Sequence, residues 1–249
     1  MRGQVLLTLT LAICFSQVAI AAFPGHTWPD ISGPYLGQTF PGMKAKLFAP
    51  GIVSTDQSEI NSVFTPDGKE FYFTFWTPET GTKILLTRQV DGRWTAPELA
   101  SFSNHPSDVD PAISHDGRKL FFGTRRPRPG TTAEGEKDFD LWFAERAGKA
   151  WGAEKYLGPL INSGQRQVYP TVTREGTLYF QAIREEGYGK ADIYRSRLVD
   201  GVYQTPENLG PVINSGHYEG DVFIAPDKSY LILSVSGRED SLGGADLYI

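Results

Sequence analysis

Only one cysteine occurs in the 249 residues, Cys14, and it lies in an apolar stretch at the very start of the chain. Loss of that stretch would leave no thiol, which excludes disulfides, thiol catalysis and cysteine-ligated metals together. A strong excess of one charge is also missing, because the formal net charge is only −5 and the charged residues are dispersed. A basic footprint for nucleic acid is therefore absent, and no nucleic-acid partner is expected. No apolar run approaches the roughly 20 residues of a membrane span, so none is expected. The chain has no G-x-S-x-G elbow, no H-E-x-x-H and no phosphate loop, the short motifs whose geometry carries common chemistries. Its four histidines, His26, His105, His115 and His217, fall at unrelated positions. No metal, no cofactor and no catalytic residue is expected from these patterns.

What is present begins with a leader. Arg2 supplies a positive start, residues 5–15 an apolar run, and Ala19-Ile20-Ala21 a small-residue cleavage pattern. Residues 1–22 read as a secretory signal peptide, which predicts an exported chain, periplasmic or secreted. Lipidation at Cys14 is not expected, because Ile13 before it is bulkier than lipoprotein processing favours. Residues 23–45, rich in Pro and Gly without sustained periodicity, read as an arm packed on the domain that follows.

Residues 46–249 are organised by repetition. SDVDPAISHDGRKLFFGT from Ser107 has a short strand pattern, an Asp116-Gly117 turn and a second strand. An Asp-Gly pair suits a tight two-residue hairpin in which both central residues take positive φ. The same unit recurs from Ser58, Arg166 and Tyr218; aligned on Gly68, Gly117, Gly176 and Lys228, the copies lie 49, 59 and 52 residues apart. The long spacing holds a polar insertion, residues 125–138. Each copy continues with a third strand, such as Asp140-Leu141-Trp142-Phe143, and then a turn and an aromatic, Trp94, Trp151 or Tyr203. A final short segment leads into the next copy, and residues 46–52 (KLFAPGI) match that segment.

Periods of about 20 to 50 residues mark solenoids, propellers or arrays, and four short strands per unit is the blade of a β-propeller. The second strands, FYFTFW, LFFG, LYFQA and YLILSV, are apolar at successive positions, as strands covered on both faces are. The expected fold is all-β, a β-propeller of four-stranded antiparallel blades with four repeats visible. The last repeat stops at Ile249 inside its third strand. Either residues 46–52 close that blade, or the chain is a piece of a larger propeller, the reading favoured here.

These turns resemble those of the WD40-like, Pro-Asp-Gly type β-propeller repeat family, the kind found in the TolB propeller domain. The motif is intact at Pro66-Asp67-Gly68 and altered to His115-Asp116-Gly117, Arg174-Glu175-Gly176 and Pro226-Asp227-Lys228. The resemblance implies an exported propeller of binding or enzymatic function, since propellers host both. Related exported chains generally carry more blades.

In a propeller the first strand of each blade lines the channel. Alignment gives two columns at its start, Glu59, Asp108, Gln167 and Glu219, and two positions on, Asn61, Asp110, Tyr169 and Asp221. Positions two apart on a strand share a face, so both columns are expected to rim one mouth of the channel as a ring of carboxylates and amides. Such a ring suits a cation or a basic or polyhydroxylated ligand; the plainer reading is that the acids cap neighbouring turns. A third column, Trp76, then Arg125 and Arg126, Arg184 and Arg238, offers bidentate donors to an acidic glycan. The plainer reading there is local pairing, as with Glu185, Glu186 and Glu239. The expected function is a non-catalytic binding module taking a protein or glycan ligand at the mouth and loops. The alternative is a carbohydrate-active lyase or hydrolase acting on an acidic polysaccharide.

Overall fold

The computed structural model describes residues 28–131, 138–163 and 165–249. The expected leader, Cys14, the first arm residues and part of the polar insertion lie outside them.

The hairpin turns set the pattern. Thr65 O accepts from Gly68 N at 2.8 Å, and the Thr65 hydroxyl donates to Asp67 Oδ1 at 2.6 Å. Ser114 and Asp116 repeat this arrangement around Gly117. Only the last residue of each turn has positive φ, Gly68, Gly117, Gly176 and Lys228. This differs from the expected two-residue turn, where Asp would also be left-handed. Pro66 at the first central position locks φ negative, so the chain turns over Pro-Asp and closes on a left-handed residue.

Four antiparallel blade sheets and one separate two-stranded hairpin follow among the described residues. The first holds β1 (Ser58–Phe64), β2 (Glu70–Thr77) and β3 (Gly81–Val90), with β4 (Arg93–Trp94) and β5 (Glu98–Leu99) both paired to β3. The second holds β6 (Val109–Ile113), β7 (Lys119–Thr124) and β8 (Asp140–Ala147), with β9 (Ala150–Trp151) and β10 (Lys155–Tyr156) on β8. The third comprises β11 (Gln165–Val172), β12 (Leu178–Ile183) and β13 (Asp192–Ser196). The β14 (Leu198–Val199) and β15 (Val202–Tyr203) hairpin then leads to its outer strand, β16 (Glu207–Asn208). The fourth has β17 (Tyr218–Ile224), β18 (Leu231–Ser236) and β19 (Ala245–Tyr248).

Each of the first three sheets is a blade whose two faces serve two neighbours. On β2, Tyr72 points to the second blade with Ile84 and Leu86, meeting Leu120, Phe122 and Ala144. Phe71 and Phe73, in the other phase of the same strand, meet Ile31 and Leu36 of the N-terminal arm and Ala49 and Val53 just after it. Phe121 and Leu141 bury against Leu178 and Phe180 of the third blade, and Ile193 against Leu233 and Val235 of the fourth. That two-sided burial is why the middle strands carry apolar residues at successive positions rather than alternating ones. On the fourth blade Leu247 and Ile249, at the repeat positions of Ile84 and Leu86, are exposed.

Residues 46–52 were expected as a blade's closing strand, and no strand forms there. Ala49 O instead accepts from Ile52 N and Val53 N, winding the segment into a turn that drops Ala49 and Val53 onto the first blade.

Adjacent blades are also latched through the backbone. Thr82, at the start of β3, pairs with Ser107 ahead of the second blade, and Ala191 pairs in the same way with Tyr218. Gly81 (φ +69°) lets this loop pass, since a Cβ there would collide with Pro106 O. Gly81→Ala is expected to destabilise the fold by about 2–4 kcal/mol. Urea denaturation measures it, and a change below 0.5 kcal/mol, roughly that of an ordinary surface substitution, would show that the latch yields.

Candidate functional site

The four first strands carry the same irregularity. Pairing of β1 with β2 skips Asn61, and the registers of β6, β11 and β17 shift between Val109 and Ala112, between Val168 and Thr171, and between Gly220 and Phe223. Each shift is a β-bulge, and at each sits a left-handed residue, Asn61 (φ 41°), Asp110 (57°), Tyr169 (54°) and Asp221 (45°). Left-handed φ is strained for residues other than glycine and persists only where the surroundings enforce it. Four copies in register make it a designed feature of the innermost strands.

All four bulge residues face one central cavity of about 300 Å³. Its walls are largely apolar, with Val63, Ile113, Val172 and Ile224, and His115 lines it as well. Asn61 Nδ2 donates to Asp110 Oδ1 at 2.6 Å, and Tyr169 N donates to Asp110 Oδ2 at 3.3 Å. Asp110 N donates to the Thr74 hydroxyl at 3.0 Å, fixing the bulge to the second strand of the first blade.

Burial pushes the Asp110 carboxyl up to about 7; the Asn61 and Tyr169 hydrogen bonds pull against it, Asp221 adds to it and Arg166 opposes it. Burial also raises Asp221, against the pull of Asn61 and Arg166. Tyr169 is raised by burial and then by the two carboxylates. The three shifts describe one cavity in which added negative charge is disfavoured.

The column two positions earlier does not share this cavity, because the bulge breaks the alternation that would have placed it there. Glu59 accepts from Thr55 N at 3.3 Å and from the Thr55 hydroxyl. Asp108 accepts from His105 N at 3.2 Å and from Arg126 at 2.9 Å, and Glu219 accepts from Ser215 N at 2.9 Å. These acids tie down the connection that leads into their own blade. Gln167 is fully buried with Asp108 and Glu219.

The arginine column also lies away from the cavity lining. Arg125 lies over the Phe139 ring at 4.4 Å. Arg126 is buried on Asp108 and on Glu154 at 3.3 Å. Arg184 donates to Ile161 O at 2.8 Å and faces the Tyr194 ring at 4.9 Å. Arg238 grips Asp240 with two hydrogen bonds, at 2.8 and 2.9 Å. Trp76 is partly exposed at the end of β2. Among the described residues no group of three or more His, Cys, Asp or Glu is placed to hold a metal.

His115 was not anticipated at the channel. A signal for the bulges was present, however, in Asp110-Pro111 and Tyr169-Pro170. Proline cannot donate to a ladder and inside a sheet marks an edge or a bulge.

Sheets of this kind around a shared cavity define a β-propeller. A putative TolB from Agrobacterium tumefaciens is similar over 74% of this chain and 56% of its own, at 18% identity and a TM-score of 0.53. TolB from Acinetobacter baumannii is similar over 79% of this chain and 41% of its own, at 16% identity and a TM-score of 0.49. The chain thus spans about half the length of these TolB chains. No family model matches the sequence, and no curated protein does. The chain has the WD40-like propeller fold seen in TolB, and no helix among its described residues is long and apolar enough to cross a membrane.

Proposed function

We propose that this chain is an exported, non-catalytic binding module that takes a protein or glycan ligand at the polar mouth of its central cavity. The observation that carries this reading is the fourfold left-handed bulge, which turns Asn61, Asp110, Tyr169 and Asp221 onto one cavity at a cost in backbone strain. Export rests on Arg2, the apolar run at 5–15 and Ala19-Ile20-Ala21, and places the module in the periplasm or outside the cell. The test is a glycan-array and pull-down screen of the wild type and of Asp110→Ala/Asp221→Ala. Capture by the wild type that falls at least tenfold in the double variant, with no product released, supports the reading. A screen with no capture, or capture that the double variant retains, overturns it.

One observation favours a carbohydrate-active enzyme as a second reading. Asp110, held near 7, stands with Asp221 in one cavity, a pairing used for acid and base roles in glycoside cleavage. Arg125, Arg184 and Arg238, meant to grip an acidic polysaccharide, are engaged elsewhere, which weakens it. Product from a panel of uronic-acid polysaccharides, lost in Asp110→Asn, would establish the enzyme.

A further inference from the structure

Beyond a general ligand site, the cavity has a chemistry specific enough to name a ligand class. Its polar end presents two carboxylates, Asp110 and Asp221, with the Asn61 amide and Tyr169. Asp110 is buried, and its hydrogen bonds come from an amide side chain and a backbone N–H, both neutral. Arg166 acts on both carboxylates only as a nearby charge. Negative charge is thus gathered at one end of the cavity without a directly bonded cation. The remaining wall is apolar, formed by Val63, Ile113, Val172, Phe223 and Ile224.

An inorganic cation fits this poorly. Calcium takes six to eight oxygen ligands within about 2.6 Å, the cavity offers two carboxylates, and no cluster of three His, Cys, Asp or Glu occurs among the described residues. A volume of about 300 Å³ is also roughly ten times a water molecule's share of liquid. Carboxylates disfavour an anion. A neutral sugar would leave the buried charge uncompensated and lay hydroxyls on an apolar wall. What satisfies both ends is a positive head on a hydrocarbon body.

We propose that the cavity binds an organic ammonium group carrying a short aliphatic body, seated with its nitrogen between Asp110 and Asp221 and its carbon chain along Val63, Ile113 and Val172. A lysine side chain of a protein partner and a free alkylamine share this chemistry. The inference rests on the binding-module reading and supplies its ligand class.

Asp110 and Asp221 bind such a head most strongly when ionised. Around them stand Asn61, Ser62, His115, Tyr169 and Thr171 in the lining, the Thr74 hydroxyl on Asp110 N, Tyr218 beside Tyr169, and Arg166 as a nearby charge. Affinity is therefore expected to rise from pH 6 to pH 8.

The experiment is isothermal titration calorimetry on the full chain at pH 6 and pH 8. Ligands are n-butylamine, n-hexylamine, 1-hexanol, calcium chloride and a lysine-rich peptide. Hexylamine is expected to bind at pH 8 at least tenfold tighter than hexanol. Each methylene from butyl to hexyl is expected to tighten binding about three- to fourfold. Asp221→Asn, exposed at the mouth and away from the core, is expected to lose at least tenfold for hexylamine while its thermal melt does not fall below the wild-type temperature. The peptide separates the sources: peptide binding competed by hexylamine points to a protein lysine, and hexylamine binding alone to a free amine. Equal affinity for hexanol and hexylamine, calcium binding that displaces the amine, or no amine binding would each overturn the proposal. In that last case, capture of another ligand that depends on Asp110 and Asp221 would leave the binding-module reading standing, and absence of any capture would remove both.

Discussion

Replacing Arg126 with methionine is expected to destabilise the fold by about 3–5 kcal/mol, the usual cost of leaving a buried charge without its partner. Arg126 is nearly inaccessible, pairs with the fully buried Asp108 at 2.9 Å and reaches Glu154 at 3.3 Å. It also donates to Phe102 O and packs over the Phe122 ring. Methionine keeps much of the packing and removes the charge, so Asp108 is stranded. Burial already raises the Asp108 carboxyl and Arg126 opposes that rise, so the variant should take up a proton at Asp108 and recover some stability in acid. Asp108→Asn combined with Arg126→Met should restore more than half the loss. Urea denaturation of the two variants decides the matter. A single-variant cost under about 1 kcal/mol would place the pair with ordinary surface ion pairs.

The second large effect concerns Asp110 and has the opposite sign. An unfolded aspartate titrates near 3.9, whereas Asp110 is held up to about 7 by burial. Between those values the native chain keeps a proton that the unfolded chain has released, so stability falls as pH rises from about 4 to 7 and is level above. Asp110→Asn removes the ionisable group and keeps its shape. It is expected to stabilise the protein at pH 8 by about 1–3 kcal/mol. That is less than the full titration cost, since the new amide nitrogen can face the Tyr169 N–H. The variant should also flatten the decline, leaving the slopes due to Asp108 and Asp221, whose carboxyls are raised as well. Denaturation at pH 5, 6, 7 and 8 reads both quantities, and parallel curves for wild type and variant would show that Asp110 ionises freely.

Much of the architecture could be read from the chain because it is written in repeats. The unbroken apolar strands, such as Phe71-Tyr72-Phe73, encode two neighbours per blade, and the structure supplies one on each side. Finer geometry was less legible. A two-residue turn at Asp67-Gly68 was expected from the dipeptide alone, whereas the chain turns over Pro66-Asp67, and His115 and Arg174 hold the same turn without proline. Strand alternation put Glu59 and Asn61 on one face, and a single bulge separated them. Arg184 and Arg238 were recognisable as donors, but residue type does not reveal whether a guanidinium meets a ligand or, as here, Ile161 O and Asp240. Arg238 finds Asp240 2 residues on, a pairing for which little chain must be ordered, whereas Arg184 reaches Ile161 O across 23 residues.

The bulge on each innermost strand separates shape from chemistry. An asparagine, two aspartates and a tyrosine occupy the same backbone socket, so the frame does not depend on which side chain stands there. One mutation at such a socket can exchange an acid for an amide or an aromatic while the surrounding scaffold keeps its form. Preference for a new guest can then arise one blade at a time, without the barrel-like assembly having to be rebuilt.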